Sequence, residues 1–215
     1  MIKVLIADDH EVVRSGFSLI INSQDDMEVV GNAADGNEAY NLVAKLKPDI
    51  LLLDISMPPG QSGLIACEKI SKDFPSTRVI ILTMFAEADY LYFTLRGGAS
   101  GYILKTSSTE ELLEAVREVA AGGIHVNQKM AEELSIRLKE DEDGEGTNPL
   151  RILTSRELEV FTLIASGYTT TEIAEKIYVS VKTVEVHRSK IYSKLNISSR
   201  AELVQLAIKY RLLGL

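Results

Sequence analysis

Ile2-Lys3-Val4-Leu5-Ile6-Ala7-Asp8-Asp9-His10 opens the chain: a short, almost wholly apolar run that stops on two carboxylates. A run of that length without strict polar alternation reads as a strand covered on both faces. The design recurs at Glu28–Ala33, Ile50–Leu53, Val79–Leu82 and Gly101–Leu104, each followed by an amphipathic helical pattern. The alternation predicts an α/β unit, a doubly wound five-stranded parallel sheet with helices on both faces. Ligands bind such sheets outside the carboxyl ends of the strands. Those ends carry Asp8 and Asp9, Asp54, Thr83 and Lys105.

The remaining chain has a different character. After Gly122-Gly123 comes a polar helical stretch, Gln128–Glu140, and then Asp141-Glu142-Asp143-Gly144-Glu145-Gly146-Thr147-Asn148-Pro149, which has nothing apolar to bury and reads as a flexible acidic linker. Four helical patterns follow at Ser155–Ser166, Thr171–Ile177, Val181–Leu195 and Arg200–Leu213. Thr154 and Glu157 are spaced as a capping box for the first of these, and Gly167 is placed to stop it. The expected organisation is a sheet domain over 1–121, a linker over 122–149 and a small all-α domain over 150–215.

Charge divides the same way. Residues 1–147 hold 13 Lys and Arg against 25 Asp and Glu, net −12, and residues 148–215 hold 10 against 6, net +4. Only the second module is suited to meet phosphate backbones. No run is long and apolar enough for a membrane span, and the first strand meets its aspartates too early for a signal peptide, so a soluble, cytoplasmic protein with no membrane partner is expected. The single cysteine, Cys67, lies in a helical pattern from Leu64 to Phe74 and reads as a small core hydrophobe.

Three carboxylates at one rim of a sheet repel one another unless a cation neutralises them, and hard oxygen ligands favour Mg²⁺. A carboxylate held there can attack a phosphoryl donor, with metal and lysine offsetting the charge of the transferring oxygens, and Asp54 is the central candidate. Any one of these residues alone also reads as a helix cap or a solvated surface group; five gathered at four strand ends read as a site. In the basic module, Ile173-Ala174 in a short helix, the turn Tyr178-Val179-Ser180 and the longer helix Val181–Leu195 make a helix-turn-helix, with Ser180 as N-cap. Val184, Ile191 and Leu195 supply the buried stripe of that second helix. Glu185, Val186 and Ser189 lie off the stripe, on the side that can face a major groove.

Residues 1–121 resemble the receiver domain of two-component response regulators, a flavodoxin-like fold, through Asp8-Asp9-His10, Asp54 followed by Met57-Pro58, Leu82-Thr83, and Gly98-Ala99-Ser100-Gly101-Tyr102-Ile103-Leu104-Lys105. The resemblance implies that a sensor histidine kinase phosphorylates Asp54. It also implies that Asp9, Asp54 and the Ser56 carbonyl hold Mg²⁺ with Asp8 assisting, and that Thr83 and Lys105 bind the phosphoryl group. Tyr102 occupies the place of the family's mobile switch aromatic; its other reading is an ordinary half-buried aromatic on an edge strand. The segment from Met57 to Gly63 is one residue longer than the usual receiver loop and lacks the usual Asp before the Gly.

Residues 150–213 resemble the LuxR-type helix-turn-helix through Leu153–Val160, Gly167, Glu172-Ile173-Ala174 and Val179–His187. Together the two halves are similar to the NarL/FixJ family, and the run Ser56–Ala66 is similar to its NreC-type regulators of nitrate respiration. Carried over by position, Glu185, Val186 and Ser189 would read bases, while Lys182, Thr183, His187 and Lys190 would make phosphate or mixed contacts with double-stranded DNA. The function so implied is a transcription factor that binds paired half-sites as a homodimer on phosphorylation, and is not an enzyme. An aspartyl-phosphate phosphohydrolase is the alternative from another class; it wants a second acid two residues after the nucleophile, where this chain has Ser56. A phosphorylation-independent DNA binder with a vestigial receiver is the third reading.

Overall fold

The computed structural model describes residues 1–57, 62–84, 88–142, 148–210 and 212, without the side chains of 88–89 and 137–142. The chain divides into two compact units, Met1–Ala131 and Glu132–Leu215.

In the first unit β1 (Ile2–Ala7), β2 (Met27–Ala33), β3 (Ile50–Asp54), β4 (Arg78–Thr83) and β5 (Gly101–Leu104) alternate with α1 (Glu11–Asn22), α2 (Gly36–Leu46), α3 (Gly63–Asp73), α4 (Ala88–Arg96) and α5 (Thr109–Ala120). All strands are parallel, in the order β2-β1-β3-β4-β5-β6. The sheet therefore has six strands among the described residues, not the expected five. The addition, β6 (His125–Val126), comes from residues read as linker and pairs with β5. Two residues with one apolar side chain carry no periodic signal; the ladder to Gly101 and Tyr102 is what makes them a strand.

The core follows from the apolar runs. Every residue of β3 is buried, as the central strand of a doubly covered sheet must be. One face, Val4, Ile6, Ile50, Leu52, Ile80, Leu82 and Ile103, packs against Ile21 of α1 and Leu112, Val116 and Val119 of α5. The alternate positions Leu5, Leu51, Leu53, Val79 and Ile81 point to the other face and are equally buried. Cys67 is fully buried within α3, as expected of a core hydrophobe.

The polar helix α6 spans Gln128–Glu142, two residues beyond the expected end, and residues 143–147 of the acidic segment lie outside the described residues. A 3₁₀ turn at Pro149–Ile152 then leads into α7 (Ser155–Ala165), α8 (Thr170–Lys176), α9 (Val181–Leu195) and α10 (Arg200–Lys209). The capping box of Thr154 and Glu157 is present, and Thr169 with Glu172 repeats it on α8. Leu158, Phe161, Ile173, Val184, Ile191 and Leu203 form the small core of this unit. The helix expected over Arg200–Leu213 ends at Lys209; residues 211 and 213–215 are outside the described set.

Candidate functional site

Strand order alone gathers the carboxylates. β1 and β3 are neighbours and end on Asp8 and Asp54, while β4 and β5 end on Thr83 and Lys105. The Lys105 backbone N–H donates to the Thr83 carbonyl at 2.8 Å, so those two strand ends are tied. The Lys105 ammonium reaches back across the rim, donating to Asp54 Oδ2 at 2.8 Å and lying 2.6 Å from Asp8 Oδ2. Asp8, Asp54 and Thr83 are buried, and the Lys105 side chain is nearly so.

Burial and charge set the protonation of this cluster. Desolvation pushes the Asp54 carboxyl up to about 6, against the pull of Lys105 and a hydrogen bond from the Ser56 backbone N–H, and the Asp8 charge adds to the rise. Desolvation opposes the Lys105 ammonium, but its hydrogen bond to Asp54 and the charges of Asp54 and Asp8 outweigh it and hold its pKa above the usual lysine range. One ammonium thus serves two buried carboxylates. Asp8 Oδ2 faces it as an ion pair without hydrogen-bond geometry, and Asp9 Oδ1 stands in the same relation to His10 Nδ1 at 2.7 Å. Oxygens so placed are acceptors for a cation.

Asp8, Asp9 and His10 converge closely enough to share one ion, with Asp54 across the Lys105 ammonium. His10 belongs to the Asp8-Asp9-His10 motif, yet the sequence assigns it no role. Its exposed ring lies 2.7 Å from Asp9 and 3.3 Å from Asp8, and its backbone N–H caps the Asp8 carboxylate at 2.9 Å. Gly63 is the other residue that sequence reasoning misses. A β-carbon there would lie 1.8 Å from the Asp54 carbonyl oxygen, so only glycine lets α3 begin against the phosphoacceptor strand. Of the unusual loop, Pro58–Gln61 lie outside the described residues.

Tyr102 departs from the second of its sequence readings. β5 is not an edge strand, because β6 covers it, and the ring is completely buried rather than half-buried. Tyr102 pairs with Ile81, two residues before Thr83 on the neighbouring strand.

In the second unit, Ser180 caps α9 by accepting from the Thr183 N–H at 3.1 Å, and the two hydroxyls also meet at 2.8 Å. Val184, Ile191 and Leu195 are the buried residues of the helix, as the spacing implied. Lys182, Glu185, Val186, Ser189 and Lys190 are exposed, and Thr183 and His187 are partly covered. Lys194 differs from the other basic residues of this helix: its ammonium turns to Glu157 on α7, 2.6 Å away, and to the Ile152 carbonyl. Glu157 is buried, yet that ammonium and the Thr154 cap hold its carboxyl below the usual range despite desolvation. His187 has a buried Nδ1 without a hydrogen-bond partner; desolvation and the nearby Arg156 and Lys190 charges lower its pKa, against Glu157. The ring is therefore neutral at pH 7 in the free protein.

The family model described as the response regulator receiver domain matches residues 4–117, and that of the bacterial regulatory proteins of the luxR family matches residues 151–207. The chain is 53% identical over 215 residues to the oxygen regulatory protein NreC of Staphylococcus epidermidis, covering 98% of this chain and 99% of that one. Its fold is similar to RcsB from Salmonella enterica serovar Typhimurium bound to promoter rprA in the presence of phosphomimetic BeF3- (TM-score 0.67, 28% identity, 95% of this chain and 97% of that one). It is likewise similar to a structure of two RcsB dimers bound to two parallel DNAs (TM-score 0.59, 27% identity, 96% and 98% covered).

Proposed function

The chain belongs to the response regulators that join a receiver to a LuxR-type DNA-binding domain, and from that premise we propose how its residues divide the work. It is a phosphorylation-activated transcription factor and not an enzyme; Ser56 stands where a phosphohydrolase would carry its second acid. The domain limits we assign are 1–121 for the receiver, 122–149 for the connecting segment and 150–215 for the DNA-binding domain.

Asp54 is the phosphoacceptor. Ionised at neutral pH and with a raised pKa, its carboxylate is a competent nucleophile. An Asp54 oxygen attacks phosphorus, the bond from phosphorus to the imidazole nitrogen of a sensor histidine kinase breaks, and the departing imidazole is left with the electron pair and takes a proton from water. Lys105, already beside Asp54, and Thr83 receive the transferred oxygens. The family binds a divalent cation in its acidic pocket; Asp8, Asp9, Asp54 and the Ser56 carbonyl are the residues assigned to Mg²⁺ here. The unmatched acceptors on Asp8 and Asp9 fit that donor set. Bound there, the cation would neutralise charge on the phosphoryl oxygens. The buried ammonium shared by Asp8 and Asp54 is the observation that carries this reading.

Downstream, a phosphoryl group on Asp54 draws Thr83 inward, and Tyr102, buried on the adjacent strand, follows. The changed receiver surface favours a homodimer that places two recognition helices, the α9 of each copy, on paired half-sites. Glu185, Val186 and Ser189 read bases; Lys182, Thr183, His187 and Lys190 meet the backbone. The test of the pocket is intact-mass spectrometry after incubation with acetyl phosphate. One phosphoryl group is expected, only with Mg²⁺, and none on D54A; unchanged labelling of D54A overturns the assignment.

A further inference from the structure

Several helices here end in one motif: the residue after the cap adopts a left-handed backbone, and two successive N–H groups turn back to the last carbonyls. α4 ends this way at Gly98, where the Gly98 N–H meets Leu95 O and the Ala99 N–H meets Thr94 O, both at 3.0 Å. α5 does so at Gly122 and α7 at Gly167, through the same pair of bonds. These glycines take φ of +93°, +102° and +103°, where they have no β-carbon to clash. α9 ends likewise on Asn196, a residue type that tolerates the region.

α8 makes the same two bonds, Tyr178 N–H to Glu175 O at 3.4 Å and Val179 N–H to Ala174 O at 3.0 Å, but with tyrosine at φ +52°. A bulky side chain in the left-handed region strains the backbone. Burial of the ring would offset that strain, yet Tyr178 is 64% exposed. The domain itself therefore gains little from a tyrosine where α7 uses glycine and α9 asparagine. Lys47, before Pro48, also takes this region, but its flexible stem carries no ring.

The position indicates what the ring serves. Tyr178 lies in the turn between the two helices of the helix-turn-helix, two residues before the Ser180 cap of α9, and its neighbours Val181 and Lys182 are also exposed. A side chain at the entry to a recognition helix flanks the groove and meets the sugar–phosphate backbone there. We propose that Tyr178 is a phosphate-contacting residue of the DNA interface: its phenol O–H donates to a backbone oxygen and its ring covers the adjoining sugar. This rests on the reading that residues 150–215 bind duplex DNA. Phosphates are alike at every base pair, so the contact adds affinity without sequence choice.

The full-length protein, phosphorylated beforehand with acetyl phosphate and Mg²⁺, carries the test, as wild type and as Y178G, Y178N and Y178F, against two duplexes of equal length and unrelated sequence at low salt. Y178G and Y178N are expected to melt no earlier than wild type, and to bind both duplexes roughly tenfold more weakly, the worth of a hydrogen bond to a charged oxygen. Y178F is expected to lose most of that same factor. A lowered Tm in both Y178G and Y178N would show that the ring serves the fold, and unchanged affinity in them, or in Y178F, would show no phosphate bond; each overturns the proposal. A loss confined to one duplex would make Tyr178 a base reader and overturn it too. Failure of the wild type to bind either duplex would instead bring down the DNA-binding reading on which it rests.

Discussion

Replacing Lys105 by methionine keeps the stem and removes the charge that holds the acidic pocket together. Asp54 titrates at about 6 in the fold, against 3.8 unperturbed. Between those values the unfolded chain gives up its proton first, so stability falls as pH rises through that window, by on the order of 3 kcal/mol by neutral pH. That opposing contribution survives even with the ammonium 2.8 Å from Asp54 and 2.6 Å from Asp8. Removing one partner from a buried ion pair costs about 3–5 kcal/mol when the charge left behind stays ionised. Here Asp54 can escape part of the cost by keeping its proton, so a loss of about 3 kcal/mol at pH 7.5 is expected. The deficit of K105M should shrink toward pH 5 as Asp54 protonates. Mg²⁺ at a hundred times its Kd adds about 2.7 kcal/mol to a folded state that binds it, and K105M should recover more than wild type because the ion then carries the whole neutralisation. Urea titrations of the receiver transition by circular dichroism, in EDTA and in Mg²⁺ at both pH values, measure all of this. A K105M protein as stable as wild type in EDTA at pH 7.5, or a deficit independent of pH, would refute the reasoning.

Lys182→Ala and Lys190→Ala should weaken binding to all duplexes alike, and each phosphate left without its lysine should flatten the slope of log K against log salt by about 0.9; slopes equal to wild type would remove both residues from the backbone interface. Gly63→Ala places a methyl group into the Asp54 carbonyl, and should cut phosphorylation from acetyl phosphate by well over about tenfold, as expected for displaced reacting groups; normal labelling would show that the loop shifts freely. The Glu157 carboxyl is held below the usual range of 4.5, so its stabilisation is complete above that pH and is lost as pH falls through its folded pKa. E157Q should melt earlier than wild type at pH 7, by about 1 kcal/mol because the Lys194 partner is a third exposed, and the difference should shrink as pH falls below 4.5. His187 acts in a separate window: its pKa is lowered from 6.5, so the folded domain is undiminished above that pH and loses stability as pH falls below it. H187Q should flatten the pH dependence of Tm between pH 7 and 5; an unchanged profile would place the ring in solvent.

The limits of sequence reading show at particular residues. The covered strands, the Thr154 capping box, the Ser180 cap and the buried stripe of α9 are legible because each depends on local spacing: a short apolar run, period 3.6, or a cap residue placed just before a helical pattern. β6 is not legible, since two residues become a strand only when Gly101 and Tyr102 present free ladder groups beside them. The same pairing removes Tyr102 from an edge and buries it completely. Lys194 reads as one more basic residue of the DNA-facing helix until α7 brings the buried Glu157 to 2.6 Å.

The acidic pocket marks the same division most clearly. Strand-end positions for Asp8, Asp9, Asp54, Thr83 and Lys105 follow from hydrophobic periodicity, and so does their convergence on one rim, because parallel strands all end on the same side. Which of them touch does not. That one ammonium bridges Asp8 and Asp54, that His10 turns back onto Asp9, and that α3 can start only on a glycine depend on distances of 2.6–2.8 Å and on a 1.8 Å clash. Residues up to 97 positions apart, Asp8 and Lys105, meet because the order β2-β1-β3-β4-β5 brings their strand ends to one rim and the lysine stem reaches across from β5. Local pattern encodes the elements and the ends on which chemistry falls; contact, burial and the protonation they impose arise only when the sheet closes.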